Sequence, residues 1–170
     1  IGFARNFLKG LSEISSKYDY YAFCDQDDIW LPKKISTGIK ILEKDKNNIP
    51  SLYGTKTAIT DKNCKKILGY SMEVKMKLNF RNALLQSYSG GNTMIFNASA
   101  KEEIIKGLEF INPVSHDWWS YLIISGAGGI IYYDDMALVM YRQHKNNIQG
   151  SNNSFINRIN RIFGLFFGKL

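Results

Sequence analysis

Cysteine, histidine and proline are all scarce, with two, two and three residues in a chain of 170. Cys24 and Cys64 alone cannot build a disulfide framework, so a small disulfide-stapled secreted scaffold is excluded and a reducing compartment fits best. Cys24 lies within an apolar run, where a free thiol is expected to act as a small hydrophobe. Long apolar runs are missing as well. No stretch reaches the roughly 18 residues that a membrane helix requires, and no secretory leader pattern is visible. The longest candidate, "WWSYLIISGAGGIIYYDD", is broken by glycines and reads as a helix followed by a strand. Clustered charge is also lacking. The formal net charge is +7, yet Lys33, Lys34, Lys40, Lys44 and Lys46 alternate with apolar positions as on the wet face of a helix. Nucleic acid is therefore not expected as a partner.

What is present suits one globular domain: 45% of residues are hydrophobic and 22% charged, enough for a sizeable core. Phe3, Phe7, Leu8, Leu11 and Ile14 recur at helical spacing and predict a helix over residues 3–16. "YYAFC" (20–24) predicts a short strand, and Ile35, Ile39 and Leu42 predict a helix running to about Lys46, after Pro32. "SLYGTKTAIT" (51–60) predicts a strand, "DKNC" a turn and "KKILGY" a return strand. Helices are predicted over 79–88, 99–108 and 116–125, with "NTMIFN" (92–97) a strand. "GIIYY" and "ALVMYRQH" predict two final strands, and residues 154–167 a last helix. Alternating strands and helices predict an α/β sandwich with a substantially parallel sheet.

The acidic loop stands out. Asp25, Asp27 and Asp28 follow directly on the apolar run "YYAFC", at a strand's carboxyl end, where α/β sheets bind ligands. Two carboxylates two residues apart suit a hard cation such as Mg²⁺ or Mn²⁺, with substrate phosphates completing the shell. The competing reading is a helix cap, which suits Asp28 but leaves two carboxylates unemployed. A helix-loop-helix calcium site fails, because Ile29 and Trp30 stand where an oxygen ligand and a glycine are needed.

Four segments, "FARNF…DYYAFCDQDDIWLPKKI", "GGNTMIFN", "HDWW" and "YRQHKNN", come in this order. In that order the chain resembles family 2 glycosyltransferases, especially the bacterial rhamnosyltransferase-like branch of surface-polysaccharide assembly, over residues 1 to about 150. The resemblance implies a GT-A fold: an α/β, Rossmann-like three-layer sandwich with a mixed, mostly parallel sheet. Residues 1–150 would be the C-terminal, larger part of that domain, without the family's opening nucleotide-binding section, and residues 151–170 an amphipathic basic helix. The implied activity is inverting, metal-assisted transfer of a sugar from a nucleotide-diphosphate donor to a hydroxyl of a saccharide or lipid-linked acceptor. Cytoplasmic placement, at the inner face of the cell membrane, goes with it.

Carried over residue by residue, the resemblance implies that Asp27 contacts the divalent metal (Mg²⁺ or Mn²⁺) with Asp25 beside it. Arg5 and Asn6 would lie beside the donor. Asp117 of "HDWW" would be the general base, with its own competing reading as a helix cap. His116, Trp118, Gly91 and Asn92 would line the acceptor side, with Gly90 preceding them. His144 of "YRQHKNN", close to Arg142, would approach the metal or diphosphate. The tail "SFINRINRIFGLFFGKL" carries three positive charges and no negative one. Its composition suits either an anionic membrane surface met through 154–170 or packing on the domain or on the second subunit of a homodimer. Two rival readings differ in class: a non-catalytic sugar-binding or scaffold fragment of the same fold, and a metal-dependent phosphoesterase built on the acidic loop.

Overall fold

A computed structural model describes residues 2–44, 48–109 and 111–143. In chain order the elements are α1 (Phe3–Glu13), β1 (Tyr20–Ala22), β2 (Ile29–Trp30), α2 (Lys34–Leu42), β3 (Ser51–Thr60) and β4 (Ile67–Tyr70). Then follow α3 (Phe80–Ala83), β5 (Ile95–Asn97) after a 3₁₀ turn at Gly91–Thr93, α4 (Ala98–Lys106), α5 (His116–Gly126) and β6 (Ile130–Arg142). The predicted helix over 154–167 and the 151–170 segment lie outside the described residues.

The sheet is organised on β3, whose ten residues are buried almost throughout. Such a run, rich in β-branched and aromatic residues, belongs at a sheet centre covered on both faces. The strand order is β1-β5-β3-β6-β2, with β4 pairing β3 beside this path. The sheet is mixed, as expected, but it is not mostly parallel. Among the described strands only β3 and β6 run parallel; β1–β5, β5–β3, β3–β4 and β2–β6 are antiparallel. Strand–helix alternation predicts parallel pairs only where a long crossover returns the chain to the same end of the sheet. Here β3 turns at once through Asp61–Cys64 into β4. Residues 71–90 then bring the chain beside the middle of β3, where Ser89 Oγ donates to the Thr55 carbonyl at 2.9 Å. From there β5 runs back against β3.

The two predicted final strands are one. β6 spans Ile130–Arg142, and its register against β3 slips between Asp134 and Val139. There Asp134 Oδ1 accepts from the Met136 N–H at 2.9 Å, a local bulge that bends the strand without ending it.

Neighbouring residues of β3 and of β5 face opposite sides of the sheet and so define its two cores. Tyr53 and Ile95 pack with Leu42 of α2. Leu52 and Phe96 pack on the other side with Leu8 and Leu11 of α1, Ala100 and Ile104 of α4, and Trp119, Tyr121 and Ile124 of α5. Helices thus cover both faces, and the carboxyl end of β1 opens beside the amino end of α5.

Two local readings change. Asp28 does not cap α2: it precedes β2, a short strand pairing Ile29 with Met140 and Trp30 with Val139, and Lys33 occupies the N-cap position. Lys34, read as part of a wet helical face, is fully buried under the loop.

Candidate functional site

The acidic loop begins where β1 stops, at Ala22. Phe23 turns inward and is buried, whereas Cys24 is exposed rather than part of the core. Its thiol is pushed up by loss of solvation and by Asp25 and Asp28, with Lys34 opposing, so the chemistry of the loop begins one residue after Phe23. Phe23 is the anchor. Its ring meets the His116 imidazole edge-on at 4.8 Å, and Phe7 of α1 stacks on the same imidazole at 4.2 Å. Three separate segments, α1, the end of β1 and the start of α5, therefore meet on one aromatic cluster, and the acidic loop is held beside "HDWW".

His116 is buried, and burial pushes its imidazole below the ordinary histidine value while Asp117 acts in the opposite sense. Neither ring nitrogen has a hydrogen-bond partner among the described residues. The glycine of "GGN" completes this corner, because a Cβ on Gly91 would collide with His116 Nε2. Gly91 is required here by close approach rather than by an unusual backbone angle.

Asp28 ties the loop to two more of the sequence motifs. Its Oδ2 accepts a short hydrogen bond from the Asn92 amide, and its Oδ1 accepts from the Arg142 backbone N–H at 3.1 Å. The Arg142 side chain adds a strap: Nε donates to the Asp27 carbonyl at 2.7 Å and one terminal nitrogen to the Lys62 carbonyl at 2.9 Å. Burial raises the Asp28 carboxyl, while the bonds from Asn92 and Arg142 hold it down.

Asp25 has the more unusual surroundings. Its carboxyl is raised to about 6, first by burial and then by the charges of Asp28, Asp27 and Asp117. The loop and the first turn of α5 therefore share one electrostatic neighbourhood of surplus negative charge. Lys34 lies behind the loop, where it opposes the rise of the Cys24 thiol. Its ammonium sits 3.6 Å from the centre of the Trp30 ring, without a hydrogen-bond partner among the described residues, and burial lowers it to about 8.

Asp117 lies in the first turn of α5, and Ser115 occupies the N-cap position. One oxygen, Oδ1, accepts from Ser115 Oγ and from the Trp118 N–H at 2.8 Å. Trp118 is half-buried and fixed by its indole N–H on the Ala83 carbonyl at 2.6 Å, whereas Trp119 is a core residue bonded to the Ile104 carbonyl at 3.2 Å. Tyr88 completes the wall. Its buried hydroxyl has no partner among the described residues, and burial first, then neighbouring charges including Asp117, push it well above the ordinary tyrosine value.

Asp25, Asp27, Asp117, Gly91, Asn92, His116 and Trp118 thus belong to one connected region. Arg5 and Asn6 sit on the exposed side of α1, where Arg5 lines a groove with Lys9, Ser12, Ile111 and Asn112. His144 lies outside the described residues. The residues not singled out beforehand are Arg142 as a strap, Lys34 as a buried cation and Tyr88. Arg142 was marked only by its place in "YRQH", and no sequence signal distinguishes Lys34 from the lysines beside it.

Among the described residues, no cluster of three or more His, Cys, Asp or Glu side chains is placed to hold a metal ion. Magnesium-type sites, however, commonly use one or two protein carboxylates together with water and substrate phosphates. Asp25 and Asp27 fit that pattern: they are hard oxygen donors, and the neighbours that raise Asp25 are all carboxylates.

No family model matches the chain. It is 26% identical over 170 residues to the dTDP-rhamnosyl transferase RfbG of Shigella flexneri, covering 95% of this chain and 56% of that protein. The chain therefore spans a little over half the length of this curated relative. The similarity supports a glycosyltransferase family, and the α/β architecture with a mixed sheet is compatible with one.

Proposed function

We propose that this chain is part of an inverting glycosyltransferase that moves a sugar from a nucleotide-diphosphate donor to an acceptor hydroxyl in bacterial surface-polysaccharide synthesis. The observation that carries the reading is the packing of Phe7 and Phe23 on His116, which holds the acidic loop beside Asp117, a candidate base. The similarity to a rhamnosyl transferase supports the same class of chemistry.

In this reading Asp27 and Asp25 hold a divalent cation, Mg²⁺ or Mn²⁺. When bound, the cation neutralises the negative charge that gathers on the departing diphosphate. Asp28 keeps the loop in place through Asn92 and the Arg142 backbone. Asp117 accepts the proton of the acceptor hydroxyl. Its Oδ1 is held by Ser115 and the Trp118 N–H, which orients the carboxylate and leaves Oδ2 to face the acceptor. Half-buried Trp118 offers an apolar ring face for an acceptor sugar, fixed by its bond to Ala83.

Calorimetric titration of nucleotide diphosphates with Mn²⁺ into the polypeptide bearing this sequence tests the loop assignment. Asp27→Asn is expected to weaken Mn²⁺-dependent binding by about tenfold or more, the scale of a lost charge-assisted contact. Equal affinity in the variant would remove Asp27 from the site.

A further inference from the structure

Histidine is the side chain whose ordinary titration falls near neutral pH, and His116 stands where separate segments of the chain meet. Its imidazole is buried among three phenyl rings. Phe7 stacks on it at 4.2 Å, Phe23 meets it edge-on at 4.8 Å and Phe3 edge-on at 6.0 Å. On a further side Nε2 lies against Gly91, so closely that a Cβ there would collide with it. A neutral imidazole carries one donor and one acceptor nitrogen. Neither finds a hydrogen-bond partner among the described residues, so the ring is held by packing rather than by polar bonds.

Such a box suits the neutral ring and not the charged one. An imidazolium has two N–H donors, and here both would be desolvated and unpaired. Two effects oppose that cost. The Phe7 face attracts a cation, a contribution small beside the loss of hydration, and Asp117 favours the charged form. Burial outweighs Asp117 and holds the ring below the ordinary value of 6.5. The remaining charged groups on the packed segments act on other partners. Arg5 and Lys9 of α1 line a groove that includes none of the phenyl rings, and Glu13 pairs with Lys9 at 3.7 Å. Beyond Phe23, the Cys24 thiol acts on Lys34 and Asp25 shares its surroundings with the other carboxylates. Asp28, which reaches the Gly91 turn, is bonded to Asn92 and to the Arg142 backbone.

We propose that His116 is an acid-sensitive latch between α5 and the acidic loop. Neutral, it anchors Phe23, and with it the start of the loop, beside the first turn of α5. Protonated, the ring leaves its box to hydrate both nitrogens. Phe23 then keeps its contact with Phe96 at 5.1 Å but loses its tie to α5, and the loop that begins one residue later is released. The inference rests on packing and does not depend on what the loop binds. While the closed ring stays neutral, each pH unit below 6.5 favours the opened state about tenfold.

Hydrogen–deuterium exchange of the whole chain at about pH 7.5 and about pH 5.5, beside His116→Phe, tests it. Phenylalanine keeps an aromatic ring in the box but takes no proton. Comparing the two chains at each pH removes the intrinsic pH dependence of exchange, and also the titration of Asp25, which both retain. Relative to His116→Phe, amides of residues 23–28 in the parent are expected to open about tenfold more readily at the lower pH than at the higher. Nuclear magnetic resonance titration keeps the test decisive if His116→Phe does not fold. The chain holds two histidines, so His144→Gln leaves one imidazole signal, that of His116. It is expected to stay neutral in the folded chain until the pH is well below the ordinary histidine range. A His116 ring that titrates at or above 6.5 overturns the proposal. So does an equal acid response in the parent and in His116→Phe, which would place the sensitivity in the carboxylates.

Discussion

Asp25 places the site's chemistry and the chain's stability in opposition. Its carboxyl is raised from 3.8 in the unfolded chain to about 6 in the fold, by burial and by three neighbouring carboxylates. Between those two values the folded state binds more protons, so stability falls as pH rises through that window and the penalty is complete above it. The group is only half-buried, so the full shift overstates the cost, and about 1 kcal/mol at neutral pH is the expected scale. Asp25→Asn should therefore be more stable than the parent at pH 7 in the presence of a chelator, and the two should converge near pH 4. Urea unfolding across that range checks it. Parallel curves would mean that Asp25 is not raised by its neighbours, its carboxyl being well hydrated and screened from Asp27, Asp28 and Asp117. The sequence showed the three acids of this loop plainly, but not their division of labour. Asp28 looked like a helix cap because Pro32 and a helical pattern follow it, and the short pairing of Ile29 and Trp30 with β6 is what moved it away from the helix.

Among elements, β6 joins the acidic loop to the rest of the sheet. Its last residue, Arg142, binds Asp28 through its backbone and both Asp27 and Lys62 through its side chain. Arg142→Met keeps the backbone bond and the stem but removes the guanidinium bonds, each of the charge-assisted class. The expected result is a fold destabilised by about 1–3 kcal/mol and a loop whose amides near Asp27 exchange faster with deuterium. Unchanged exchange at the loop would show that Arg142 does not hold it. This link was not legible in the sequence, because 115 positions separate Arg142 from Asp27 and no local pattern encodes the pairing. β3 is the opposite case: its predicted and observed limits coincide at Ser51–Thr60, since a ten-residue run buried on both faces leaves no polar period to misread. Strand directions were harder. The helices between strands suggested parallel crossovers, whereas β4 and β5 both run back against β3.

At the scale of the molecule, helices on both faces of a mixed sheet bring the candidate metal loop and "HDWW" to one end of the sheet, with the His116 cluster between them. The order of the four motifs was visible in the sequence; their convergence rests on packing between Phe7, Phe23, His116 and Gly91, distant in sequence and ordinary in composition. No helix among the described residues is long and apolar enough to cross a membrane. In the proposed reaction Asp117 takes the acceptor's proton. Its most direct test is sugar transfer from a panel of nucleotide sugars by the polypeptide bearing this sequence, measured beside Asp117→Asn. A fall in kcat of about 10²–10⁴, the range of a lost general base, is expected, with Mn²⁺-dependent donor binding retained. Full transfer activity in Asp117→Asn would contradict it.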